Sequence, residues 1–128
     1  MNDNGDLAQQ WLKKAESDYA NAELCLSGAV ALDTATFHCQ QAAEKFLKAW
    51  LIAHDIDPPK THEMKHLIAL CLPIDPRFDQ LSSDADALTP YAVERRYDSK
   101  FWPSLDEVRA ALEKAHRIRD FVKAHWPK

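Results

Sequence analysis

The chain has 128 residues, of which 46% are hydrophobic and 28% charged, and its formal net charge is −4. That length suits one domain, residues 1–128, with a working core. The charge excludes a general polyanion-binding protein, so any nucleic-acid contact must come from a local patch.

The first predicted helix runs from about Asp6 to Ser27. Asp6 is its candidate cap, with Gln9 three residues on as in a capping box. Leu7, Trp11, Ala15, Tyr19 (or Asp18 beside it), Ala22 and Leu26 form its apolar stripe. Gly28 is a natural stop. The second helix runs from about Thr34 to His54 with Asp33 as candidate cap, and Asp57-Pro58-Pro59 forbids its continuation. Apolar residues cover about half its circumference, which predicts a central position. Its alanines (Ala35, Ala42, Ala43, Ala49, Ala53) allow close packing, and Leu47 and Leu51 are expected on its exposed edges, available to a dimer.

A third helix starts after Thr61 and ends by Pro73. A fourth opens at Asp75-Pro76, a cap followed by Pro at the first helical position, and Pro90 breaks or kinks it. Tyr91 to Tyr97 reads as a short helical turn before a loop ending at Trp102-Pro103. The last helix runs from Ser104 to about His125, with Ser104 and Glu107 as its capping box. The predicted fold is therefore all-α: an antiparallel bundle of about five helices, a four-helix core plus a short one. The chain has only two glycines, Gly5 and Gly28, too few for tight hairpins or a Gly-rich phosphate loop.

Cys25, Cys39 and Cys71 lie in apolar helical patterns with no CxxC pairing and read as reduced core thiols. There is no charged-then-apolar leader pattern and no apolar run near the roughly 20 residues of a membrane span. The expectation is a cytoplasmic protein without membrane contact.

Four constellations could carry chemistry. His62-Glu63-Met64-Lys65-His66 matches H-E-x-x-H, in which histidines at i and i+4 bind zinc beside a glutamate base. Here it falls in the first turn of its helix with no evident third ligand, so no metal or other cofactor is expected. The second is the stripe His38, Gln41, Lys45, Lys48 on one side of the second helix. It is either a solvated face, supported by a Glu44 to Lys48 pair, or a holder for an anion such as phosphate. The third is Glu94-Arg95-Arg96-Tyr97-Asp98, preceded by Tyr91. It can clamp phosphate and stack on a base, or be a charged turn in which arginine pairs with Glu94, Asp98 or Glu44. The fourth, Arg119 with His125, sits about 120° apart on its helix and does not share a face.

The segment Phe37-His38-Cys39-Gln40-Gln41-Ala42-Ala43-Glu44-Lys45-Phe46-Leu47-Lys48-Ala49 closely resembles the signature helix of the HEPN domain (higher eukaryotes and prokaryotes nucleotide-binding). The resemblance extends through Trp11 to Asp18 and Ala22, Thr61-His62, Leu88 to Tyr91, Arg96-Tyr97 and Ala115 to Val122. It implies a five-helix bundle, commonly a homodimer, associated with nucleotide or RNA binding. It also implies, for many bacterial members, a minimal nucleotidyltransferase partner in a toxin–antitoxin pair. Some branches of the family are metal-independent ribonucleases with Arg-Asn-x-x-x-His. No histidine follows Arg95 or Arg96 at that spacing, and the only match, Arg119 with His125, is near the C-terminus. By analogy, His38, Gln41, Lys45 and Lys48 with Arg95, Arg96 and Tyr97 line a polar groove.

Three readings follow. One is a module binding a nucleotide, RNA or a nucleotidyltransferase. Another is a ribonuclease using His38 as general base and Arg96 as charge stabiliser, these two being the catalytic candidates. The last is a structural dimerisation domain in which Lys45 pairs with Glu44 of a second copy.

Overall fold

The computed structural model describes residues 4–127 and contains only helices and turns among them. Five α-helices follow one another: α1 (Asn4–Gly28), α2 (Leu32–Ala53), α3 (Met64–Cys71), α4 (Ser82–Leu88) and α5 (Leu105–Ala124). Short 3-10 helices cover Pro76–Leu81 and Thr89–Tyr91. None is long and apolar enough to cross a membrane.

The two longest helices, α1 and α2, form the most extensive pairing, closed by a three-residue turn. Ala29 and Ala31 in that turn adopt positive φ (52° and 48°), a strained state for a residue with a Cβ. α5 packs along α2 and also touches α1, while α3 and α4 cover the remaining side. The helix α2 is thus surrounded, and its alanines at 35, 42, 43 and 49 are fully buried, letting its neighbours approach.

This enclosure corrects one expectation. Leu47 and Leu51 are fully buried and do not form an exposed dimer edge. Periodicity places them on the margin of the apolar arc, but both belong to the main buried cluster, with Met64, Leu67 and Leu88 among its members. Trp50 anchors the far end of α2. Its indole N–H donates to the His125 backbone oxygen at 2.9 Å, and its ring packs near Phe78, which meets Phe121. Burying rings of this size contributes roughly 2 to 3 kcal/mol each.

The helix ends are partly as expected. Ser104 accepts from the Glu107 backbone N–H at 3.1 Å, and Asp75 accepts from that of Arg77. Asp6 is not a cap, because α1 already begins at Asn4 and Asp6 lies inside its first turn. Asp33 is likewise within the first turn of α2, whose cap position is Ala31. Asp75-Pro76 opens a 3-10 segment, with α-geometry starting only at Ser82. The third helix begins at Met64, after a Thr61 hydroxyl accepts from the Glu63 backbone N–H.

Candidate functional site

On α1, Trp11, Lys14 and Asp18 recur at helical spacing, and on α2 His38, Gln41, Lys45 and Lys48 do the same. The two stripes face one another across the helix pair. Asp18 is the hinge of the contact: Lys45 Nζ donates to Oδ2 at 2.6 Å, and His38 Nδ1 lies 3.0 Å from Oδ1. Burial alone would push the Asp18 carboxyl up. The hydrogen bonds from His38 and Lys45 outweigh it and hold the group below the usual carboxylate range.

A carboxylate only accepts, so His38 presents N–H at Nδ1. In the neutral tautomer that makes this contact, the lone pair lies on Nε2.

One turn further along α2, Glu44 sits buried at the centre of a second network. Its Oε2 accepts from Lys48 at 2.9 Å, and its Oε1 accepts from Gln40 at 2.9 Å and lies 2.8 Å from His62 Nδ1. Gln41 donates to Gln40, extending the chain outward. The expected Glu44–Lys48 pair is present, but it is not a solvated one: the two side chains are 5% and 9% exposed. Lys48 also lies 5.8 Å from the Trp11 ring. The enclosure is tolerated because each buried charge meets an opposite charge or a dipole. Both residues of the pair expected between copies, Lys45 and Glu44, are therefore engaged within the chain.

The arginine-tyrosine segment lies at the opposite end of the same face. Arg96 stacks over Phe37 at 4.4 Å and donates to the Tyr97 hydroxyl at 3.2 Å. Phe37 in turn meets the His38 ring edge-on at 5.6 Å. Arg95 lies over Phe101. The expected alternative, pairing of these arginines with Glu94, Asp98 or Glu44, is not what the structure holds. Among the described residues, no carboxylate ion-pairs with either, whereas Arg77, Arg109, Arg117 and Arg119 each hold one. Tyr97 is 74% exposed and Trp102 is 73% exposed.

Tyr91 meets this surface through Phe101, the ring under Arg95, at 5.9 Å between centroids. The Tyr91 hydroxyl donates to Glu107 Oε2 at 2.7 Å, and burial with that carboxylate raises its phenol far above the ordinary value. It ties the turn to α5.

The H-E-x-x-H match separates on folding. His62 and Glu63 precede α3, so the two histidines do not share a helical face; His62 turns to Glu44 and His66 to Glu63 at 3.5 Å. Among the described residues, no three His, Cys, Asp or Glu side chains gather as a metal-holding set. Arg119 is held by Glu16 at 2.6 Å, and His125 Nδ1 lies 2.8 Å from the Phe121 carbonyl. They form no common site.

Sequence reasoning missed Asp18, Glu44 and His62 as organisers and Trp11 and Lys14 as neighbours. The helical spacing of Trp11, Lys14 and Asp18 was the available signal, but which helix they meet is a tertiary fact.

The architecture and this face define a class: a small all-α bundle whose central helix carries a polar, part-buried face rimmed by arginine and aromatic side chains. The HEPN domain matches residues 8–125, and the chain belongs to that family. The structure of TT1696 from Thermus thermophilus is similar, with a TM-score of 0.79 and 29% identity over 97% of this chain and 98% of that one. ST0689, an archaeal HEPN homologue, is similar with a TM-score of 0.73 and 25% identity over 94% and 98%. Comparison with curated proteins gives no match.

Proposed function

We propose that this HEPN-domain protein binds single-stranded RNA or a nucleotide through the surface centred on Arg95, Arg96 and Tyr97. The observation that carries the reading is that these two guanidinium groups rest on aromatic rings without a carboxylate partner among the described residues, in a chain whose other four arginines are ion-paired. A guanidinium left in that state is available to phosphate in a bidentate fork, and the exposed Tyr97 ring beside it offers a stacking platform. A homodimeric state and a minimal nucleotidyltransferase partner, as in a toxin–antitoxin pair, belong to the same proposal and rest on family membership alone.

The test is fluorescence anisotropy of labelled single-stranded RNA with wild type and the Arg95→Ala/Arg96→Ala double variant. The expected result is weaker binding by the variant, with a salt dependence reduced by about 1.4 in log–log slope, roughly 0.7 per phosphate contact. Equal affinity and equal slope would overturn the reading.

A second reading, metal-independent RNA cleavage, is favoured by the Asp18–His38 pair. A carboxylate on Nδ1 orients the ring and leaves Nε2 as a base. In that reading Nε2 takes the 2′-hydroxyl proton, the oxygen attacks the adjacent phosphorus, and the 5′-oxygen leaves with the returned proton. A 2′,3′-cyclic phosphate remains, and Arg96 stabilises the phosphorane charge. RNA cut in the presence of chelator by wild type, but not by His38→Ala, would establish it.

A further inference from the structure

Side-chain contacts link the two ends of the α2 face without a break. Tyr97 meets Arg96, Arg96 covers Phe37, Phe37 meets His38, and His38 and Lys45 share Asp18. Beyond Lys45 the surface opens into a hollow of about 400 Å³ lined by Gln10, Trp11, Lys14 and Lys45. Its lining combines the Trp11 indole, the Gln10 amide side chain and two lysines, of which Lys45 is paired with Asp18. Lys48 adds a third ammonium near the same ring. The neighbouring carboxylates Asp18 and Glu44 are already neutralised by their own partners. Among the described residues, Lys14 has no ion pair. A flat ring bearing a nearby negative charge fits this chemistry: the ring stacks on Trp11 while Lys14 takes the anion.

We infer that the Trp11–Lys14 hollow is a second subsite for the same single RNA strand, which runs along α2 from Arg96 and Tyr97 to Trp11. This rests on the RNA-binding reading above and adds a place, a length and a path to it. From Phe37 to Lys48 the helix advances about 16 Å, at about 1.5 Å per residue. At about 3.4 Å per stacked nucleotide, that distance takes about five nucleotides. A mononucleotide reaches one end only.

The experiment is a binding series with oligoadenylates of one to eight nucleotides, on wild type, Trp11→Ala, Trp11→Phe, Lys14→Glu and Arg95→Ala/Arg96→Ala. Wild-type affinity should rise with length and level off near five nucleotides. Trp11→Ala should lower the affinity of the long oligomers by about 5- to 150-fold, the range for one lost base stack. Trp11→Phe, which keeps a ring, should recover most of the loss. Lys14→Glu alters an exposed side chain, so it tests the subsite even if Trp11→Ala fails to fold.

Three outcomes overturn the inference. Long oligomers that bind Trp11→Ala and Lys14→Glu as tightly as wild type, while still depending on Arg95 and Arg96, would remove the subsite and leave the RNA reading standing. Affinity that does not change with length would do the same. Absence of binding to every oligomer by wild type would remove both, and binding of a peptide or protein at this face would then replace them.

Discussion

Lys45 Nζ and Asp18 Oδ2 are 2.6 Å apart across the α1–α2 interface, and the other oxygen of the same carboxylate is given to His38. One acidic side chain therefore positions both of these residues of the face. Asp18→Asn should lower stability by about 2 kcal/mol at neutral pH, the scale for hydrogen bonds to a charged group. The sign of its pH dependence follows from the depressed carboxyl. The stabilisation is present above the unfolded value near 3.8 and is lost as pH falls through the lower folded one. Urea unfolding of wild type and variant should differ at pH 7 and converge as the pH is lowered through that range.

Glu44 and Lys48 make the sharper contrast. Glu44→Ala leaves the Lys48 ammonium buried without its carboxylate and also removes the acceptor for Gln40 and His62. A loss of about 3 to 5 kcal/mol is expected. The double change Glu44→Leu/Lys48→Met removes the pair together and should recover much of that loss. Chemical denaturation of the three proteins checks both.

His54 ends α2 with its ring against Trp50 at 4.0 Å and its Nε2 buried without a hydrogen-bond partner among the described residues. Burial lowers its proton affinity, against smaller opposing effects from Asp55 and Asp75. The unfolded chain takes up this proton first. Stability from the neutral ring is therefore full above about pH 6.5 and declines as pH falls below it, towards the folded value. His54→Phe should flatten the melting temperature against pH in the range just below about 6.5, whereas wild type should fall across it.

Arg119 and His125 test the catalytic alternative from the other side. Arg119 is tied to Glu16 and covers the Tyr19 ring, and His125 bonds back to its own helix. Arg119→Ala and His125→Ala should leave RNA binding, and any cleavage, within about twofold of wild type. Arg119→Ala should cost about 1 kcal/mol of stability through its lost ion pair and ring contact. A cleavage assay beside a thermal melt separates the two effects.

Much of this protein was legible in order along the chain. Proline and glycine punctuation, the α5 capping box at Ser104 and the apolar period of each segment depend on residues a few positions apart, so one sequence is enough to read them. Membership of the HEPN family was legible in the α2 segment for the same reason. The helix starts at Asp6, Asp33 and Asp75 were misplaced by a few residues or in helix type, because several nearby positions satisfy the local signal and packing selects among them.

The sequence by itself determined where the helical segments lie and the main apolar stripe of each. Only the tertiary structure decided the rest. It enclosed Leu47 and Leu51, buried Glu44 with Lys48, moved His62 away from His66 and placed Asp18 between His38 and Lys45. It also left Arg95 and Arg96 on aromatic rings while giving the other arginines carboxylates. Most of these relationships join residues far apart in the chain and are set when helices pack. Charge burial depends on which partner arrives from another helix, and no local period records that.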